Sequence, residues 1–244
     1  MVKSHSTPTF RPLYEQIKIL ITQSLVAGEW HPGEAIPSEL ELASRFKVSQ
    51  GTVRKAIDEL AAENILMRRQ GKGTFVATHT EEHSQYHFLR MVEVSGKKEV
   101  PSSEVLSCKR VKASGDIADR LELKRGAPVV TLRRLLRLSG EPVILDDIWL
   151  PASLFKGLTE SMIAEFDGTL YSLYETRYGT RIIRAEERIQ AIAAEAPITE
   201  LLNVPERTPL LDIHRVAFTY GDKPVELRFS RCNTKHHCYS NELG

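Results

Sequence analysis

Near the start of the chain, apolar residues recur at helical spacing. Leu13, Ile17, Leu20, Ile21 and Leu25 share one face of a helix predicted over about 12–27, with Pro12 suited to its first turn and Gly28 to its stop. After the turn Trp30-His31-Pro32-Gly33, the run Pro37-Ser38-Glu39-Leu40-Glu41 carries a Ser-x-x-Glu capping box. In such a box Ser38 and Glu41 satisfy each other's backbone donors at a helix start. That second helix runs to about Phe46. Lys47 and Val48 make a short turn, Ser49 caps a third helix over about 50–63, and Val53, Ala56, Ile57 and Leu60 mark its buried face. The pattern then changes: Ile65 to Arg69, a turn at Gln70-Gly71-Lys72-Gly73, and Thr74 to Val76 predict a β-hairpin with a glycine-rich basic tip.

Two short helices joined by a tight turn, the second presenting Gln50, Gly51, Arg54, Lys55 and Asp58 outward, have the layout of a helix-turn-helix. The hairpin is then its wing, with Gly71 and Gly73 allowing close backbone approach and Arg69 and Lys72 supplying charge. The charge distribution agrees, although the net charge of +1 does not reveal it. Between Leu42 and Ile57 lie Arg45, Lys47, Arg54 and Lys55 with no acidic residue, and between Asn64 and Thr80 lie Arg68, Arg69 and Lys72, again with none. Positive potential confined to two short stretches suits the phosphates of double-stranded DNA.

Residues 78–86 are polar and aperiodic, which predicts a linker between a domain of residues 1–77 and one of residues 87–244. Beyond it, alternation predicts strands over 104–111, 129–138, 143–150, 181–194, 210–220 and 225–234, with short helices near 115–123, 159–178 and 197–203. The fold class is α+β: a winged helix-turn-helix followed by an antiparallel α+β domain. The second domain also repeats itself weakly. Leu121 through Pro128, Arg134, Gly140, Glu141 and Pro142 recur as Leu202 through Pro209, Arg215, Gly221, Asp222 and Pro224. Two such copies pack pseudo-symmetrically and leave a cleft between or beneath them for a ligand.

The remaining features exclude more than they add. With 41% hydrophobic and 27% charged residues in 244, disorder is excluded. No apolar run approaches a membrane span, and the first residues lack the core of a secretory signal, so a cytoplasmic protein is expected. Cys108, Cys232 and Cys238 form no disulfide framework. His236-His237-Cys238 hints at a metal, but adjacent strand residues point to opposite faces, so neither a metal nor a cofactor is expected. No nucleophile elbow, phosphate loop or His-Glu metal motif points to an enzyme.

Residues 12–77 resemble the DNA-binding domain of the GntR family, in the runs PLYEQIKILI, AGEWHPGEAIPSELELASRF, VSQGTVRKAIDEL and RRQGKGTFV. The resemblance implies that the third helix enters the major groove, the wing tip reaches the minor groove, and a homodimer binds a roughly two-fold-symmetric operator. The DNA-binding residues expected on this basis are Ser38, Leu40, Ser49, Gln50, Gly51, Thr52, Arg54, Lys55, Arg69, Gly71, Lys72 and Gly73. Two of them depart from the family pattern, which usually has arginine at Leu40 and at Gln50. Gln50 suits adenine instead of guanine and Leu40 offers only an apolar contact, which points to an altered operator.

The second domain resembles the UTRA domain of HutC-like regulators, with a chorismate-lyase-like fold, in RRLLRLSGEPVILDDIWLP, RAEERIQAIAA and TPLLDIHRVAFTYGDKPVEL. The implied function is a transcription regulator, more commonly a repressor, controlled by a small polar metabolite. The implied effector-binding residues are Arg90, Arg134 and Glu226. Relatives that bind amino-sugar phosphates commonly carry a second arginine at Leu136 and tyrosine at Cys232. Their absence turns the expectation toward a carboxylate or amine metabolite.

Overall fold

The structure is a computed structural model that describes residues 11–78, 89–96 and 99–241. It divides into two compact units at Thr78/His79. The predicted linker lies outside the described residues from position 79 onward.

The first unit follows the order α1 (Leu13–Val26), α2 (Glu39–Phe46), α3 (Gln50–Ala62), β1 (Leu66–Arg69) and β2 (Gly73–Val76). Ile17, Ile21 and Leu25 of α1, Leu42 of α2, and Val53, Ala56, Ile57 and Leu60 of α3 are buried, together with Trp30, Ile36, Leu66 and Val76. The capping box forms: the Glu41 backbone N–H donates to the Ser38 hydroxyl at 3.3 Å and the Ser38 N–H donates to the Glu41 carboxylate at 2.8 Å. Ser38→Ala is therefore expected to lower the stability of this unit by about 1 kcal/mol, read as a shift in its urea midpoint. Lys47 ends α2 in the left-handed region at φ 54°, turning the chain so that Ser49 can cap α3 by accepting from the Thr52 N–H. The wing strands pair antiparallel from Leu66↔Val76 to Arg69↔Gly73, and the turn between them needs φ 70° at Gly71 and 110° at Gly73. Residues 33–36 lie alongside β2: Ile36 donates to the Thr74 carbonyl, and Val76 donates to the Glu34 carbonyl.

The second unit is built on one antiparallel sheet in the order β4-β5-β6-β9-β8-β7. Its strands are β4 (Ser102–Lys112), β5 (Pro128–Leu138), β6 (Glu141–Pro151), β7 (Arg184–Ala193), β8 (Pro209–Thr219) and β9 (Lys223–Asn233). Helices α4 (Gly115–Arg120) and α7 (Ile198–Leu202) follow β4 and β7 respectively. The strand order is thus the same from either edge, β4-β5-β6 mirrored by β7-β8-β9, which is the arrangement the sequence repeat predicted. Packing divides the sheet between two layers. Val130, Leu132, Ile148 and Leu150 join α5 (Glu160–Ala164) and α6 (Leu170–Tyr178) around Phe155 and Tyr174. Val129 and Leu227 pack with α4, while Leu135, Leu145 and Leu210 pack with Leu202 of α7. Both faces being covered explains why β5 and β6 read as nearly continuous apolar runs.

Two features depart from the sequence expectation. The helical stretch near 159–178 is split: Gly168 stands at φ 150°, where a Cβ would lie 2.8 Å from side-chain atoms of Phe166 and Ser172. A short pair, β3 (Met91–Glu93) with β10 (His237–Tyr239), was not foreseen because three residues carry no usable periodicity. His237 of β10 is buried, while Cys238 after it and His236 just before the strand are exposed, as alternation requires. Among the described residues no helix is long and apolar enough to cross a membrane.

Candidate functional site

In the first unit, the residues expected to meet DNA fall on the start of α2, on α3 and on the wing. Leu40 is an apolar side chain in the first turn of α2 with 65% of its surface exposed. Ser38 and Ser49 are both occupied as caps, and the Ser49 and Thr52 hydroxyls also share a hydrogen bond of 2.8 Å. Gln50 and Arg54, one turn apart on α3, converge on Glu39. Gln50 Nε2 donates to Glu39 Oε2 at 3.1 Å, and Arg54 donates to the same oxygen from Nε at 3.0 Å and from Nη2 at 2.9 Å. Lys55 is on another side of the helix, with its ammonium 3.8 Å from the centroid of the Tyr14 ring on α1. In the wing, the Arg69 guanidinium lies over the Phe75 ring at 4.6 Å, while Gly71, Lys72 and Gly73 form the exposed tip.

The basic windows are less uniform than the sequence suggests. Arg45 is paired with Glu29, and Arg68 bonds Asp58 at 2.7 Å and Glu39 at 3.1 Å. Lys47, Lys55 and Lys72 have no carboxylate partner among the described residues. In the sequence Glu39 stands only as a residue between Ser38 and Glu41 of the capping box, and Arg68 only as positive charge in the second basic window; their meeting joins α2, α3 and β1, which no local pattern predicts.

In the second unit a cavity of about 120 Å³ opens on the α6 side of the sheet. Its wall includes Arg90, Arg134, Asp146, Tyr171, Arg215 and Arg228. The polar row is a product of sheet register. Arg134 on β5 stands opposite Asp146 on β6, Asp146 opposite Ser230 on β9, and Arg228 on β9 opposite Arg215 on β8. Arg134 donates to Asp146 Oδ2 from Nε at 2.9 Å and from Nη2 at 2.8 Å, and Arg228 approaches the same oxygen at 3.5 Å. Arg215 is held by Glu187 at 2.6 and 2.7 Å, and Glu187 also accepts from Tyr239. Gly168, Thr169, Leu170 and Tyr171 bring the capped N-terminus of α6 to the same cavity. Leu136, Ile144, Ile213 and Cys232 supply the apolar part of the wall.

Arg90 and Arg134 therefore line one cavity, but Glu226 does not join them. It is fully buried, accepting from Tyr171 at 2.9 Å, Tyr174 at 3.0 Å and Arg228 at 2.8 Å. Alternation puts Glu226 on the same face of β9 as Arg228, and the packing of α6 sets Tyr171 and Tyr174 on its carboxylate, so its oxygens are committed to the wall's support. Arg215, Arg228, Asp146 and Tyr171 were missed. For Arg215 the signal existed, since the repeat aligns it with Arg134.

The electrostatics follow from burial. Desolvation alone would raise the Asp146 carboxyl, but the guanidiniums of Arg134 and Arg228 outweigh it and hold the group below the ordinary aspartate range. Burial and the Glu226 carboxylate push the Tyr171 hydroxyl up to about 12, so it stays a neutral donor. A depressed folded-state value means that the contribution of Asp146 is complete above the unfolded-chain value of about 3.9 and is lost as the pH falls through the folded value. The urea midpoint of the second unit should accordingly decline in acid, and Asp146→Asn should flatten that decline. An unchanged acid slope in the variant would contradict the assignment.

A winged-helix unit with arginines and lysines on α3 and the wing, followed by a sheet domain with a charged cavity, has the make-up of a DNA-binding regulator with a ligand-binding domain. The comparisons agree. Residues 13–76 match the model of bacterial regulatory proteins of the gntR family, and residues 96–237 match that of the UTRA domain. The chain is 30% identical over 230 residues to the probable fructoselysine utilization operon transcriptional repressor of Escherichia coli K12, with 91% of each chain covered. It is 29% identical over 203 residues to the mannosyl-D-glycerate transport/metabolism system repressor MngR of the same organism, with 83% of each covered. Among solved structures, the ligand-binding domain of a GntR-family regulator from Bordetella bronchiseptica is similar at a TM-score of 0.61 and 38% identity, covering 64% of this chain and 96% of that one. The chain belongs to the GntR family of bacterial transcription regulators, in the branch that carries a UTRA domain.

Proposed function

We propose that the chain binds a two-fold-symmetric operator as a homodimer in the cytoplasm, and that a small carboxylate-bearing metabolite in the C-terminal cavity controls its affinity for that operator. Gln50, Gly51, Thr52 and Arg54 read the major groove, Ser38, Leu40, Ser49 and Lys55 lie along its edges, and Arg69, Gly71, Lys72 and Gly73 approach the minor groove. Residues 1–77 act as the DNA-binding domain, 78–86 as the linker and 87–244 as the sensor. The metabolite is bound and released unchanged.

The observation that carries the effector class is the charge balance of the cavity. Arg134, Arg228 and Arg215 are matched by Asp146, Glu226 and Glu187, three cations against three anions. Arg90 is the additional cation on the wall, and it has no carboxylate partner among the described residues. One negative charge on a ligand completes the balance, and the N-terminus of α6 favours the same sign. Leu136 and Cys232 leave apolar wall where a bulkier phosphate would want more donors. The relatives named for fructoselysine and mannosyl-D-glycerate fit this class, since each of those compounds combines hydroxyls with a carboxylate.

Thermal melting of the full chain against sugar acids, sugar phosphates and neutral sugars tests this. A sugar acid at 100-fold over its Kd should raise the melting temperature of the sensor unit by about 5 °C or more. Arg90→Ala should remove most of that shift. Stabilisation by neutral sugars alone would overturn the charge argument.

A further inference from the structure

We propose that Glu39 is a positioning residue for operator reading, orienting Gln50 and Arg54 so that each presents one fixed pair of groups to the bases. The inference rests on α3 being the reading helix. Glu39 is the first residue of α2, its side chain is only 14% exposed, and its carboxylate receives Gln50, Arg54 and Arg68 from two other elements.

What the carboxylate does follows from donor geometry. Arg54 meets Glu39 with its side edge, Nε and Nη2. The end edge, made of Nη1 and the second proton of Nη2, is turned away from the carboxylate as two parallel donors. That pair matches guanine O6 and N7. Gln50 is constrained in the same way. A carboxylate only accepts, so Nε2 and not Oε1 must face it. The remaining Nε2 proton and Oε1 then form the donor–acceptor pair that matches adenine N7 and N6. Without Glu39 the amide could turn over and the guanidinium could swing, and both pairs would be presented in several orientations.

The charges point the same way. The Arg54 side chain holds the Glu39 carboxyl below the ordinary glutamate range, so it is ionised at neutral pH. Asp58 takes the other side of Arg68, so Glu39 and Asp58 together offset Arg54 and Arg68. An ionised carboxylate on a face that meets phosphates weakens binding to any DNA. Its presence there is explained by selectivity, which it increases at the expense of raw affinity.

The test is selection of preferred duplexes from a randomised pool by the full-length wild type and by Glu39→Gln, followed by affinity measurements on the selected operator and on random DNA of equal length. Glu39→Gln should bind random DNA a few-fold more tightly. Its ratio of selected to random affinity should fall by about tenfold or more, with broadened preference at the bases read by Gln50 and Arg54 and no change elsewhere. Glu39→Asp, which keeps the charge, should retain more of the ratio. A melting temperature close to that of the wild type would show that the capping box through Ser38 and Glu41 is intact. An unchanged ratio and base preference would overturn the proposal, as would a fall in melting temperature with selectivity preserved. If Arg54→Ala also left selectivity intact, the identification of α3 as the reading helix would fall with it.

Discussion

Glu226→Ala is expected to destabilise the sensor unit by about 3–5 kcal/mol, the largest stability effect of any single change to the polar cluster. The carboxylate is fully buried, and its removal takes the acceptor from three groups at once: the Tyr171 and Tyr174 hydroxyls and the Arg228 guanidinium. A poorly compensated buried cation dominates the cost, because the carboxylate left to Arg228 is Asp146 at 3.5 Å. At about 2–4 °C per kcal/mol for a domain of this size, the melting temperature should drop by about 10 °C. Glu226→Gln separates the contributions, since the amide oxygen can still accept from one tyrosine while the charge is lost; it should fall between the wild type and the alanine variant. Equal stability of wild type and alanine variant, by calorimetry or urea titration, would show that Glu226 belongs to a ligand-facing wall and not to its support.

Arg54→Ala is expected to have the largest effect on DNA. A good bidentate contact to a base discriminates by about 10- to 100-fold, and the proposed homodimer uses two copies. Selectivity for the operator over random DNA should therefore fall at least about 100-fold, while binding to random DNA falls only a few-fold through the lost charge. Lys72→Ala gives the contrasting signature. Its ammonium at the wing tip offers charge without base geometry, so affinity should fall evenly across sequences and the salt dependence should become shallower by about one unit per chain. If the two variants behaved alike in a gel-shift series at increasing salt, α3 would not be the element that reads sequence.

Although Leu13 and Leu20 of the α1 stripe stay exposed, the elements of the first unit were legible, for a physical reason. Its signals are local: a capping serine three residues before a glutamate, a serine before α3, apolar residues at three- and four-residue spacing, and glycines where the wing turn needs positive φ. Each decides the backbone within one turn, so helix starts and the hairpin tip follow without knowledge of the rest of the chain. The second unit was legible as strands and as a repeat, because alternation and the recurrence of Leu121–Pro142 as Leu202–Pro224 survive in one dimension. The break before α6 was not legible, since the space that a Cβ at position 168 would need is taken by Phe166 and Ser172 only after folding.

The candidate sites divide in the same way. The sequence alone determines the class of the molecule, the position of α3 and the wing, the placing of Arg134 on a strand, and its equivalence with Arg215 through the repeat. Tertiary structure alone decides which charges meet. Strand register sets Arg134 against Asp146 and Arg228 against Arg215, and the packing of α6 encloses Glu226 beneath Tyr171 and Tyr174. In the first unit, folding brings Glu39, Gln50, Arg54 and Arg68 together from three elements. The reason is range. Capping and periodicity act over a few residues and leave their mark in the sequence, whereas an ion pair between residues far apart in the chain exists only once the backbone between them has folded.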